Sequence, residues 1–229
     1  VLTVVHRRRL RAIWRSAGWP CQDMVEVELL AAGWLERVRH DSGHETLRVT
    51  DAGIAVLAET LQRNRGARDA HEQLVERIAR EMTRAGRIAW RGLSLRAKVG
   101  DSWAMAMPDV FSIRHTTVED YLEPVVHEIK VRRADLLGDL KREGKRAAYL
   151  QLCGECWYVI REGIAEPDEI PPECGVIVAS ETQLDVARPA PKRPMRLPFH
   201  AWMVLARATP VEGTLDDESQ GWLGAPDQA

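Results

Sequence analysis

The chain has 229 residues, 45% hydrophobic and 29% charged, which is the composition of a soluble globular protein with room for one large domain or two small ones. A net charge of -2 excludes a uniformly basic nucleic-acid binder, yet the charge is uneven: from Glu212 to the end there are five acidic residues and no basic one, and the rest carries +3. No apolar run approaches the ~20 residues of a membrane span, and the N-terminus runs into His6-Arg-Arg-Arg9 rather than an apolar leader, so a cytoplasmic protein without a membrane partner is expected.

Residues 1 to about 65 read as helices, a hairpin and a further helix. Val4 to Ala17 carries apolar positions at Val5, Leu10, Ile13 and Trp14, ended by Gly18-Trp-Pro20. Asp23 to Gly33 follows with Met24, Val27, Leu29 and Leu30 on its buried side. Two short alternating runs around Ser42-Gly43 predict a hairpin, and Thr50 caps the next helix. A separate helix is predicted over Ala67 to Ala85, with Glu72, Glu76 and Glu81 among its polar positions. Strand candidates come next at Arg87 to Arg96, Trp103 to Met107, the Asp109 segment to Ile113, and Val125 to Val131. A helix from about Ala134 to Leu152, interrupted near Gly144, precedes the apolar runs Trp157 to Ile160 and Gly175 to Ala179, which suit a buried sheet. Pro198 to Arg207 predicts a last helix, and the tail after Thr209 is expected to be mobile.

Two stretches carry candidate chemistry. Met105-Ala-Met-Pro-Asp-Val-Phe-Ser-Ile holds Asp109, and Glu123-Pro-Val-Val-His-Glu-Ile-Lys-Val holds Glu128 and Lys130, which a strand period of two sets on one face. If the two strands are neighbours, two carboxylates and an amine converge, an arrangement suited to a hard divalent cation. Glu-x-Lys occurs a second time at Glu143-Gly-Lys145, in a charged segment without alternation, so the string alone decides nothing. The choice of lysine at 130 is more telling, because the chain has 27 arginines and five lysines, and lysine is the cation that shifts its pKa and moves protons.

Basic residues gather at Arg7, Arg8, Arg9, Arg11 and Arg15, and again at Arg132, Arg133, Lys141, Arg142, Lys145 and Arg146, which suits a bipartite DNA binder. Cys153-Gly-Glu-Cys156 has metal or redox spacing, but Cys174 is distant and Cys21 lies in the other predicted domain, so reduced structural thiols are expected. His127 faces away from Glu128 and is expected to be a satisfied core histidine; His71 is weighed with the same restraint.

The first 60 residues resemble the winged-helix domain of bacterial DNA-binding proteins, in which a strand ending Val-Thr-Asp-Ala-Gly, here Val49 to Gly53, follows the wing. In that fold the helix before the hairpin reads the major groove, but here it is acidic through Asp23, Glu26 and Glu28, so a protein partner, a homodimer, or DNA contact through Arg7 to Arg15 and Arg37 to His44 is the alternative. The order helix, three strands, helix, strand, together with Asp109 and Glu128-Ile129-Lys130, resembles the PD-(D/E)XK nuclease superfamily over about residues 68 to 180. Val126-His-Glu-Ile-Lys, Asp135, Asp139 and Tyr149-Leu-Gln-Leu-Cys153 resemble the MmcB-type DNA-repair nucleases more closely.

The implied fold class is α/β: a winged helix-turn-helix over 1–65, a restriction-endonuclease-like α-β-β-β-α-β core with a mixed sheet over 66–208, and an acidic tail over 209–229. The resemblance implies a Mg2+-dependent deoxyribonuclease, with Mn2+ as a substitute and DNA as partner. Asp109, Glu128 and the Ile129 carbonyl would hold the metal, Lys130 would position water, and Glu72, or Glu76 one turn on, would be the first-helix acid. Lys141, Lys145 and Arg146 would follow the phosphate backbone, and Gln151 and Tyr149 would touch substrate or brace Lys130. The alternative is a non-catalytic DNA- or protein-binding regulator built on an inactive nuclease-like scaffold.

Overall fold

The computed structural model describes residues 2–212 and divides into two compact units at Arg68/Asp69. The tail beyond Glu212 on which acidic and mobile character was expected lies outside the described residues. Among the described residues no helix is long and apolar enough to cross a membrane.

In the first unit, α1 (Val4–Trp14) starts at a capping box in which Thr3 and His6 satisfy each other's backbone amides. The next helix, α2 (Met24–Ala31), is capped by Asp23, whose carboxylate accepts the Glu26 N–H at 3.0 Å. A hairpin of β1 (Leu35–Arg39) and β2 (Glu45–Val49) follows, and then α3 (Asp51–Arg84). Leu10, Ile13, Leu29, Leu35, Leu47, Val49 and Leu57 form the core of this unit. The acidity of α2 is internal: Glu26 is fully buried and accepts the Cys21 and Gln22 amides at 2.6 and 2.9 Å, Asp23 holds Arg9 at 2.6 Å, and Glu28 holds His6 at 2.5 Å.

A single 34-residue helix replaces the two that were expected between Thr50 and Ala85. Gly66 lies at the expected junction, but a lone glycine costs a helix interior only ~1 kcal/mol, and the surrounding Arg, Gln and Ala residues favour continuation.

The second unit contains the end of α3 followed by β3 (Arg87–Arg91), β4 (Leu95–Val99), β5 (Ser102–Ala106), β6 (Val110–Arg114), β7 (Val125–Lys130), α4 (Arg133–Leu140), α5 (Glu143–Leu150), β8 (Glu155–Arg161), β9 (Gly175–Ala179), β10 (Leu184–Arg188) and α6 (Phe199–Leu205). Six strands form a mixed sheet in the order β10-β9-β8-β7-β6-β3, parallel across β7, β8 and β9 and antiparallel elsewhere; β4 and β5 form a separate hairpin. Leu74, Val75, Ile78 and Ala79 of α3 cover one face by packing on Val110, Ile129, Val159 and Ile177. Leu136, Ala148, Tyr149, Ala201 and Leu205, with Leu95, Ala97 and Ala106 of the hairpin, pack on Phe111, Val126, Tyr158 and Ile160 of the other. This mixed α/β layout with a buried parallel centre is what the apolar runs of β8 and β9 indicate.

Three boundaries differ from expectation. Arg87 to Arg96 splits into β3 and β4, and the strand expected to hold Asp109 begins at Val110 as β6, leaving Asp109 in a bend just before it. The helix after β7 breaks at Lys141 and Arg142, not at Gly144. Val211 donates its N–H to the Ala89 carbonyl at 2.8 Å, so the start of the predicted tail is fastened to β3. The thiols of Cys153, Cys156 and Cys174 are unpaired and fully buried in the core, and Cys21 is exposed.

All six residues of β7 are buried. His127 is a core residue, as its position on the strand suggests, but it is not satisfied: its Nδ1 has no hydrogen-bond partner. Burial, reinforced by the charge of Arg87, pushes the imidazole down to about 3. The folded imidazole therefore stays neutral while the unfolded one takes a proton below its ordinary value of 6.5, and stability drains as pH falls from there toward 3. Relative to His127→Leu, wild type should lose up to ~1.4 kcal/mol per pH unit between about pH 6 and 4 in urea titrations; a pH-independent difference between the two proteins contradicts a neutral buried His127.

Candidate active site

The site is built where two strands part. Cross-strand pairing of β6 and β7 runs through Ser112↔Val125, Phe111↔Val126 and Val110↔His127 and stops there. Continued register would set Pro108 opposite Ile129, and proline has no N–H to offer the ladder. The Ile129 N–H instead donates to Asp109 Oδ2 at 2.7 Å, and the Ile129 carbonyl lies on the same side of the strand. The Asp109 carboxylate thus takes the place of the backbone carbonyl that a continued ladder would offer the Ile129 N–H. Its other oxygen, Oδ1, lies 3.5 Å from His71 Nε2 of α3, and His71 Nδ1 lies 3.7 Å from Glu72. The Asp109 carboxylate holds the His71 imidazole above its usual range, against the opposing effect of burial.

Asp109, His71 and Glu72 line a cavity of about 290 Å³ together with Val75, Arg91 and Gly92. Glu72 keeps 66% of its side chain exposed, whereas Glu76 is paired with Arg80 and does not line this cavity. Of the two candidate acids on the helix, only Glu72 therefore shares a cleft with Asp109.

Glu128 and Lys130 share a face of β7, as their spacing requires, and that face is buried under α4 and α5. Glu128 is 2% and Lys130 8% exposed. Glu128 Oε1 accepts from Lys130 Nζ and, at 2.6 Å, from Lys145 Nζ; Oε2 accepts from the Tyr149 hydroxyl at 2.7 Å. Asp139 of α4 closes the cluster by accepting from Lys145 at 2.6 Å and from the Tyr158 hydroxyl at 2.8 Å, with Lys130 3.8 Å away. Two carboxylates balance two ammonium groups, the condition under which buried charge is tolerated. Burial pulls Lys145 down, but Glu128 and Asp139 outweigh it and hold the ammonium above its usual range. Burial likewise opposes ionisation of Asp139, and Lys145 and Lys130 overcome it. Burial next to Glu128 pushes the Tyr149 phenol far up, so it remains a donor, its one proton shared between Glu128 and the Met107 carbonyl 2.8 Å away.

Asp109 and Ile129 are therefore in direct contact, Glu128 and Lys130 are in contact, and Glu72 joins Asp109 at the cavity. The expected phosphate-tracking residues do not form a track. Lys145 belongs to the buried network, Arg146 is bound to Glu173 at 2.8 Å, and Arg133 is bound to Glu169 at 2.9 Å. Lys141 is exposed in the break between α4 and α5. Gln151 caps α5 and is exposed, without a hydrogen bond to the network. Lys145, expected on the phosphate backbone, instead joins Glu128 in the buried network; Asp139, named only within the MmcB-type resemblance, and Tyr158, for which the sequence offers no signal, complete it. The rarity of lysine that singled out Lys130 applies equally to Lys145, which was set aside with the second Glu-x-Lys string.

Among the described residues no group of three or more His, Cys, Asp or Glu side chains is gathered to hold a metal ion on its own. The oxygen donors do suit a hard cation in kind: Asp109 Oδ1 has only the long His71 contact, Glu72 is open to the cavity, and the Ile129 carbonyl faces the gap between the strands. Glu128 already receives three donors and retains one of a carboxylate's roughly four acceptor positions.

No family model matches the chain, and no curated protein does. A solved structure that matches is a protein of unknown function from Silicibacter pomeroyi, 21% identical, covering 57% of this chain and 77% of that one at a TM-score of 0.40. A likeness at that level bears on neither activity nor family.

The two acids at opposite ends of the site should respond differently to removal. Glu128→Ala leaves two buried ammonium groups sharing Asp139, and should cost about 3–5 kcal/mol in chemical denaturation. Glu72→Ala, on an exposed helix surface, should change stability by no more than ~0.5 kcal/mol. Equal small losses would show that the network around Glu128 is not formed.

Proposed function

We propose that the chain is a Mg2+-dependent nuclease of the PD-(D/E)XK type that hydrolyses DNA phosphodiester bonds in repair, processing or defence, with MmcB-type nucleases as the nearer resemblance. The observation that carries this reading is the meeting of Asp109 with the Glu128-Ile129-Lys130 segment at the point where β6 and β7 separate. The order of elements supports it: α3, β3, β6, β7, the α4–α5 pair and β8 follow the sequence α-β-β-β-α-β, with the β4–β5 hairpin inserted after the first core strand.

Asp109, Glu72 and the Ile129 carbonyl are the groups that would hold Mg2+ or Mn2+, with the remaining acceptor position of Glu128 behind them. The ion would supply charge neutralisation at the scissile phosphate and activation of water. Lys130 is kept oriented by Glu128 and Asp139, so its ammonium is fixed rather than swinging on a four-carbon stem, as positioning a water or phosphate oxygen requires. Lys145 and Tyr149 clamp Glu128 and thereby fix the end of β7. In the first unit, α1, α2, the β1–β2 hairpin and α3 follow one another in the order of a winged helix, the proposed module for DNA, a protein partner or a second copy.

A second reading, a non-catalytic DNA- or protein-binding regulator on a nuclease-like scaffold, is favoured by the same Glu128, whose oxygens are both occupied by donors. Plasmid and single-stranded substrates incubated with Mg2+ or Mn2+ separate the two. Wild type should cleave, and Asp109→Ala and Lys130→Ala should each lower the rate by about 100-fold or more. Inert wild type, or variants as active as wild type, would leave the regulator.

A further inference from the structure

The β4–β5 hairpin has one face buried and one face of unusual composition. Leu95, Ala97 and Ala106 pack inward with the core residues of α5 and α6, so the alternate positions point outward: Arg96 and Lys98 on β4, Trp103 and Met105 on β5. Register sets Arg96 opposite Met105 and Lys98 opposite Trp103. Trp103, Met105 and Met107 are 54, 55 and 60% exposed, and no acidic side chain stands among the outward strand positions; the nearest in sequence, Asp101, sits in the turn. Singly exposed apolar residues are ordinary, but an indole and two thioethers in a row, with Arg96 and Lys98 as the cross-strand partners of Met105 and Trp103, are not.

The indole is also held in place. The Arg96 guanidinium lies over the Trp103 ring at 5.2 Å, and the His200 ring meets it edge-on at 5.1 Å while its Nε2 hydrogen-bonds the Arg96 carbonyl at 2.7 Å. A ring held by two neighbours, and still half exposed, is a platform with little conformational entropy left to lose. The row runs toward the candidate active site: Met107 is two residues before Asp109, and its carbonyl accepts from Tyr149, the α5 residue that also holds Glu128.

From this face we infer that the β4–β5 hairpin is a binding platform for single-stranded DNA that leads an unpaired strand to Asp109; this rests on the nuclease reading and gives it a substrate class. Unpaired bases expose flat apolar faces that stack on an indole and pack against thioethers, while their phosphates pair with Arg96 and Lys98. A duplex keeps its base faces internal and offers mainly phosphates and groove edges, for which an exposed Trp-Met-Met row has no use.

The test is anisotropy of a fluorescein-labelled oligothymidylate of about 20 nucleotides, and of a duplex of the same length, titrated with full-length protein in EDTA so that no cleavage intervenes. The single strand should bind about ten-fold more tightly than the duplex, Trp103→Ala should weaken that binding about ten-fold or more, and Trp103→Phe should retain most of it. Lys98→Gln should weaken binding and flatten its salt dependence without altering the melting temperature. Tighter duplex binding, unchanged affinity in Trp103→Ala, or uptake of the protein by anionic phospholipid vesicles with no affinity for the oligonucleotide would overturn the inference. Plasmid cleavage with Mg2+ by a protein that fails these binding tests would overturn the platform alone; single-strand binding that responds to Trp103 without any cleavage would overturn the nuclease reading.

Discussion

A carboxylate at the centre of a fully buried strand has to be neutralised where it stands. Glu128 meets this constraint with Lys130 two residues along the same strand, Lys145 and Tyr149 from α5, and, through the lysines, Asp139 from α4 and Tyr158 from β8. Six side chains from four elements thus depend on one another for solvation. Removing any one of them strands a charge or a donor in a largely buried region, which makes the network far more costly to break than its net contribution to stability implies. A cluster of this kind fixes the crossover between β7 and β8 in one arrangement and makes the end of β7 a rigid platform.

The second constraint is the end of the β6–β7 ladder. Pro108 withholds a backbone donor, the strands part, and the Asp109 carboxylate takes up the Ile129 N–H. The result is an asymmetric pair of acids. Glu128 is buried and committed, while Asp109 and Glu72 face a cavity with His71 beside them. The site thus has an open outer layer carried by Asp109 and α3, supported by a closed inner layer around Glu128. The proposed nuclease and the proposed regulator differ only in whether the outer layer takes a cation.

The local features of the chain were legible because they follow from local rules. The helix start at Thr50 is set by capping, the β1–β2 hairpin by its Ser-Gly turn, and the parallel strands by uninterrupted apolar runs. Features that failed depend on partners distant in sequence. The basic run around Lys145 and Arg146 looked like a solvated, phosphate-binding face because the acids that absorb it, Glu128, Glu169 and Glu173, arrive only through the sheet crossovers. The acidity of α2 is absorbed closer to home: Glu26 is buried and accepts the Cys21 and Gln22 N–H groups, five and four residues back, while Asp23 and Glu28 hold Arg9 and His6 of α1. The partial exception is Lys145, whose scarcity as a lysine was a usable signal that the repeated Glu-x-Lys string obscured.

The claim on which the functional account turns is that Asp109 and its neighbours accept a divalent cation despite the closed state of Glu128. Calorimetric titration of the full chain with Mn2+ and Mg2+ reads this directly, without substrate. The account predicts one ion bound per chain, with binding abolished in Asp109→Asn and weakened in Glu72→Gln while both variants stay folded. No measurable binding by wild type at millimolar ion concentrations, or binding that Asp109→Asn leaves unchanged, would contradict it.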